Sequence, residues 1–129
     1  MIRRSRPAFA LIAAAALCCP LAARAELVDI AWGADGRFAR GLSIAPGKFA
    51  ELCAGLNPGQ SIQWRFEAGQ GLDFNIHFHE GKDVRYPARA DEVRASQGTL
   101  VVDSAQDYCW MWSNKSAAST KLQVELQKR

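Results

Sequence analysis

The stretch Ser61–Glu80, SIQWRFEAGQGLDFNIHFHE, decides the fold. Ile62, Trp64, Phe66 and Ala68 alternate with Ser61, Gln63, Arg65 and Glu67. Farther on, Leu72, Phe74, Ile76 and Phe78 alternate with Asp73, Asn75, His77 and His79. A period of two is that of a strand with one face buried and the other in water. Gly69-Gln70-Gly71 between the two runs reads as a hairpin turn. The same alternation returns near the C-terminus. There Tyr108, Trp110 and Trp112 share one face, and Cys109, Met111 and Ser113 share the other. In Lys121–Gln127, Leu122, Val124 and Leu126 point inward.

Weaker strand patterns cover Phe38–Ile44, Phe49–Leu56, Val84–Tyr86, Val93–Ala95 and Thr99–Val102. Turn residues separate them at Pro46-Gly47, Asn57-Pro58-Gly59, Gln97-Gly98 and Ser113-Asn114. No helical stripe competes with this pattern. About eight short strands at such spacing predict an all-β fold, an antiparallel β-sandwich with Trp64 and the Tyr108, Trp110, Trp112 row in its core. Residues 26–36 read as an edge strand or a lead-in.

The N-terminus reads as a separate segment. Arg3, Arg4 and Arg6 precede an uncharged apolar run, Ala8–Leu17, and then the small-residue pattern Ala23-Arg24-Ala25. That order is the signature of a secretory signal peptide spanning residues 1–25. The run is too short to cross a bilayer, which takes about 20 apolar residues. Residues 26–129 then form one exported domain, periplasmic or secreted, with no stable membrane insertion after cleavage.

Removing that segment changes the charge and the cysteine inventory. The whole chain has 16 basic and 13 acidic residues; four of the basic ones leave with the signal and every acidic one stays, so the mature net charge is −1. The basic excess of the whole chain is therefore no argument for nucleic acid, and no basic stripe remains. Cys18 and Cys19 also leave. In an oxidising compartment the remaining pair, Cys53 and Cys109, is expected to form one disulfide. Such a link would stabilise so small a domain by about 4 kcal/mol in the chain-entropy picture. Two buried thiols, or a bridge between chains, are the alternatives.

His77-Phe78-His79 is the sharpest sign of chemistry. Residues i and i+2 of a strand point the same way, so both imidazoles can converge on one ion, and Zn²⁺ or Cu²⁺ suits them. Two ligands fall short of a dedicated site. Asp73, Asn75 or Glu80 would have to add oxygen, or Met111 or a free thiol sulfur; otherwise the histidines lie on a solvated face. A blue-copper site is excluded, because no histidine follows Cys109. No nucleophile motif accompanies the histidines, and Asp91 and Glu92, being adjacent, would point to opposite faces. A non-enzymatic role is expected. Asn114-Lys115-Ser116 fits the glycosylation pattern, but also a tight turn.

The order Asn57-Pro58-Gly59, Gln63-Trp64-Arg65-Phe66, Leu72-Asp73-Phe74-Asn75-Ile76 resembles the GOLD (Golgi dynamics) domain. Tyr108–Ser116 and Lys121–Val124 are similar to that domain's tyrosine strand, Asn-containing turn and final strand. The resemblance covers roughly Leu42 to Leu126. It implies an antiparallel sandwich that recognises protein or lipid, here a single exported domain without the membrane helix of the cargo receptors. Those receptors place their second cysteine three residues after the tyrosine, where this chain has Met111. Cys109 directly follows Tyr108, which puts a bridge to Cys53 on a different face. The expected function is an exported non-catalytic interaction or binding module for a protein or small ligand. The alternative is a periplasmic Cu- or Zn-binding protein that uses His77 and His79.

Overall fold

The structure is a computed structural model that describes residues 25–129. The expected signal segment, with Cys18 and Cys19, lies outside the described residues apart from Ala25. Seven strands follow: β1 (Glu26–Asp29), β2 (Arg37–Ile44), β3 (Phe49–Leu56), β4 (Ser61–Glu80), β5 (Asp83–Val101), β6 (Gln106–Ser113) and β7 (Thr120–Lys128). They form one hydrogen-bonded path, β1-β3-β6-β4-β7-β2, with β5 paired to the other edge of β4. The expected all-β sandwich is present. Every pairing is antiparallel except β1 with β3, which run parallel and make the uncertain N-terminal lead-in an edge strand.

The expected hairpin at Gly69-Gln70-Gly71 is replaced by a corner. β4 continues through these residues and changes sheets. Ile62–Ala68 pair with β7, and Asp73–His77 pair with β6. At the corner the register with β5 jumps from Glu67–Ala95 to Leu72–Val93, so four residues of β4 stand opposite Arg94 alone. Arg94 Nη2 donates to Gly69 O at 2.8 Å, and Gln70 Nε2 donates to Ser116 Oγ at 2.8 Å. Close approach of neighbouring atoms favours glycine here. A Cβ on Gly69 would lie 3.2 Å from Thr120 Oγ1, and one on Gly71 3.1 Å from Glu92 O. Gly-x-Gly thus marks a bend here, one of the uses of glycine in strands.

The bend folds β4 over itself and makes two layers. One contains β2, β7, the first half of β4 and the end of β5; the other contains β1, β3, β6, the second half of β4 and the start of β5. Side chains from both meet between them. Phe66 lies 4.8 Å from Phe74 and 5.5 Å from Trp112 between ring centroids, and Trp64 lies 5.0 Å from Phe74. These separations fall in the favourable range for aromatic pairs. Leu42, Ile44, Leu52, Ile62, Leu72, Ile76, Trp110, Leu122, Val124 and Leu126 complete the core. Asn114 is buried in the turn before β7. Its Nδ2 donates to Ile44 O and Ala118 O, and its Oδ1 accepts from Ser116 N. Both amide hydrogens are taken, so this asparagine is a turn organiser and not a glycan acceptor.

Because Trp64 packs across the layers, Trp64→Ala is expected to lower unfolding free energy by about 3–5 kcal/mol, as other large core truncations do. Urea denaturation measures it, and a loss below about 1 kcal/mol would place the indole outside the load of the core.

Candidate functional site

On the second layer, the side chains that alternate away from the core form a continuous outer face. The registers line up Leu27, Glu51, Met111, Asn75 and Arg89 in one row, and Asp29, Cys53, Cys109 and His77 in the next. Cys53 and Cys109 stand directly opposite on β3 and β6, Cα atoms 4.1 Å apart, and are joined as the expected disulfide. It lies on the face opposite the tryptophans, because Leu52, Tyr108 and Trp110 alternate with these cysteines and point into the core.

His77 follows in the same row and is only 6% exposed. Its Nε2 lies 3.1 Å from Glu51 Oε1, and its Nδ1 lies 2.8 Å from Asn75 Oδ1. His79 shares the face, as alternation requires, with its ring perpendicular to that of His77 at 5.4 Å between centroids. The ring of Tyr86 stands 6.2 Å from His77, and the Arg89 guanidinium sits 4.9 Å above the Tyr86 ring. A bulge places Tyr86 there. β5 pairs Ala88 with Ile76 and Arg85 with Phe78, so Tyr86 and Pro87 together stand opposite His77. Among the expected oxygen donors only Asn75 touches His77. Asp73 is bound to Lys115 and accepts from Glu92 N, and Glu80 pairs with Arg85 at 3.8 Å.

Burial is the first cause that holds the His77 imidazole below its ordinary pKa of 6.5, outweighing the pull of Glu51 upward. A neutral ring has one proton. With that proton on Nε2 toward the Glu51 carboxylate, Nδ1 becomes an acceptor, and the Asn75 amide satisfies it by turning its NH₂ group inward. Lys115 chiefly draws the Asp73 carboxyl below its usual range. Glu51 and His77 resemble the orienting half of a nucleophilic triad. Among the described residues no hydroxyl or thiol completes it, since Nδ1 faces an amide and both nearby sulfurs are bonded to each other.

The sequence pointed to Cys53, Cys109, His77 and His79; it missed Glu51, Tyr86 and Arg89. Glu51 was within reach, two residues before Cys53 on one face. Tyr86 was not, because the bulge that aims it leaves no periodic trace.

No family model matches the chain, that of the GOLD domain included, and no curated protein sequence matches it. Among solved structures it is similar to Aeromonas hydrophila PliG, a periplasmic lysozyme inhibitor of g-type lysozyme. The two share 12% identity and a TM-score of 0.65 over 82% of this chain and 98% of that one. Salmonella Typhimurium PliG, described in the same terms, is similar at 13% identity and a TM-score of 0.56 over 81% of this chain and 99% of that one. The Yersinia pseudotuberculosis-derived mitogen matches at 10% identity and a TM-score of 0.56, over 70% and 84%. At these identities the likeness shows a shared β-fold.

Two outcomes are expected. Ellman's reagent should find no thiol from Cys53 or Cys109 in the denatured, unreduced protein; two free thiols would contradict the bridge. With chelator present, stability should rise as pH rises toward and through 6.5, because the unfolded chain binds a proton that the folded His77 resists. His77→Gln should flatten that slope in pH-dependent urea unfolding, whereas the Asp73–Lys115 pair acts only at lower pH, around and below 3.8.

Proposed function

We propose that this chain is an exported, non-catalytic module that holds a protein partner against the outer face carrying His77. One observation carries the reading. Among the described residues four large apolar side chains are exposed, and three of them, Leu27 at 70%, Tyr86 at 47% and Val84 at 37%, lie on this face. Val101 is the fourth, at the far end of β5. Exposed apolar groups gathered on one face mark interaction surfaces, and a tyrosine stacked under an arginine supplies the residue types that dominate binding energy. Glu51, Asn75 and His77 beneath them are already mutually bonded, which limits the ordering cost of association.

The partner class is suggested by the periplasmic inhibitors of g-type lysozyme, which share the fold along nearly their whole length. An enzyme of the lysozyme kind is the partner we infer. Kinship with GOLD domains is proposed beside this, on the residue order around Trp64, Asp73 and Tyr108 alone. The alternative, Cu²⁺ or Zn²⁺ held by His77 and His79, has the shared face and the 5.4 Å ring separation in its favour. It requires His77 to release Asn75 or Glu51 first.

The test is titration calorimetry of the disulfide-bonded protein against lysozymes of the g-type and other classes, with lysis assays beside it. Binding to one class is expected, and Tyr86→Ala or Arg89→Ala should weaken it by about 2 kcal/mol or more, the range of binding hot spots. Absence of binding to every class would remove the lysozyme reading. Unchanged binding in both variants would move the contact to another face.

A further inference from the structure

We propose that Cys53, Cys109, His77 and Glu51 constitute a divalent-metal site that the disulfide keeps closed and that reduction opens. The inference goes beyond the binding face described above and does not depend on its partner. Three neighbouring strands present these side chains on one patch of the outer face. One ligand atom each from Glu51, Cys53 and Cys109 lies within 4.8 Å of the others, and Glu51 Oε1 lies 3.1 Å from His77 Nε2. His77 is the register partner of Cys109, which is in turn the register partner of Cys53. Cysteine, histidine and carboxylate are the donors that tetrahedral Zn²⁺ takes at about 2.0–2.3 Å, so its ligand atoms sit about 3.5 Å apart. His77 reaches this group through Glu51, so once the disulfide opens, side-chain rotation on the fixed sheet has to bring its Nε2 in beside the two sulfurs.

The surroundings of His77 fit this role. Metal-bound imidazoles pass their remaining N–H to an outer acceptor, which fixes the ring. When the ion takes Nε2, the ring proton moves to Nδ1 and the Asn75 amide, 2.8 Å away, turns its Oδ1 inward to accept it. Glu51 and His77, now bonded to each other, would bind the same ion from two sides. His79 is not needed; it is exposed near the end of β4, opposite Val84.

The chemistry balances with a dithiol as reductant. The dithiol gives two electrons and two protons to the Cys53–Cys109 bond and becomes a disulfide itself. The ion then displaces the two thiol protons to solvent, giving a bis-thiolate complex. In the oxidised state the sulfurs have no thiolate charge and the site is shut.

The experiment uses the purified disulfide-bonded protein, half of it reduced anaerobically with a small dithiol that is then removed. Both halves are titrated with Co²⁺ and back-titrated with Zn²⁺. The reduced protein is expected to bind one Co²⁺ per chain with a thiolate-to-cobalt charge-transfer band and tetrahedral visible bands, both bleached by Zn²⁺. The oxidised protein should show no charge-transfer band. His77→Ala or Glu51→Gln should weaken binding about 10–100-fold, and His79→Ala should leave it unchanged. Absence of the band in the reduced protein overturns the proposal, and so does full affinity in His77→Ala. Equal binding by the oxidised protein, lost in His79→Ala, would overturn it in favour of the histidine pair. Circular dichroism follows the fold throughout. If the reduced chain unfolds, Zn²⁺ should restore its strands, and restoration or binding that ignores His77 would mean two thiolates of a loose chain and would likewise refute the site.

Discussion

The contact between Phe66 and Phe74 is the constraint on which the molecule depends. The two rings belong to one strand, yet they face each other across the core at 4.8 Å. They can meet only because β4 bends sharply at Gly69–Gly71. The bend is held from outside by Arg94 on Gly69 O and by Gln70 on the turn before β7. With β4 folded over, β7 and β6 are assigned to opposite layers by the same strand. Trp64 and Trp112 then close around the phenylalanine pair. The core also tolerates a cost: the indole Nε1 atoms of Trp110 and Trp112 are buried without a partner, and an unmet buried donor costs on the order of 1–3 kcal/mol. Dense aromatic packing offsets it.

The same bend leaves β5 as a long edge strand paired only with β4. Long free edges invite strand addition, and proteins blunt them with proline, charge and bulges. β5 has all three. Pro87 removes a donor, Arg85, Arg89 and Arg94 carry charge, and Glu92 takes a positive φ of 51° at a bulge whose amide is held by Asp73. The bulge at Tyr86–Pro87 has a second consequence, since it turns a tyrosine onto the outer face beside His77. Edge protection and site construction are here the work of one irregularity.

This explains what the sequence revealed and what it concealed. Residues 61–68, 72–78, 108–113 and 121–127 alternate without interruption, and each is placed on the expected face. β5 was legible only as three fragments. Opposite the core residues of β4 stand Leu100, Gly98 and Ser96, then Val93, then Ala90 and Ala88, then the exposed Arg85. The parity changes at every register shift, so no period of two survives along the strand. The Gly-x-Gly corner was misread for a related reason. Glycine signals a departure from ordinary strand geometry, but whether the chain reverses or merely bends is decided by the distant strands β7 and β6 that pair with its two halves. In the site, alternation sufficed to place both histidines together and to put the disulfide away from the tryptophans; the neighbours that give His77 its character come from other strands.

The position of the disulfide bears on function. A bridge that served only to stabilise could join any two segments, and the core would shelter it well. This one ties β3 to β6 under the solvent face, next to a buried histidine whose two nitrogens are both engaged. The arrangement fixes the rows that carry Glu51, Met111, Asn75 and His77 relative to one another, so the apolar groups above them stand on a floor with few alternative rotamers. Such a floor would lower the ordering cost of the association proposed for this face. The short parallel β1 with Leu27 and the hairpin tip near Gly81 with Val84 lie at the rim of this face.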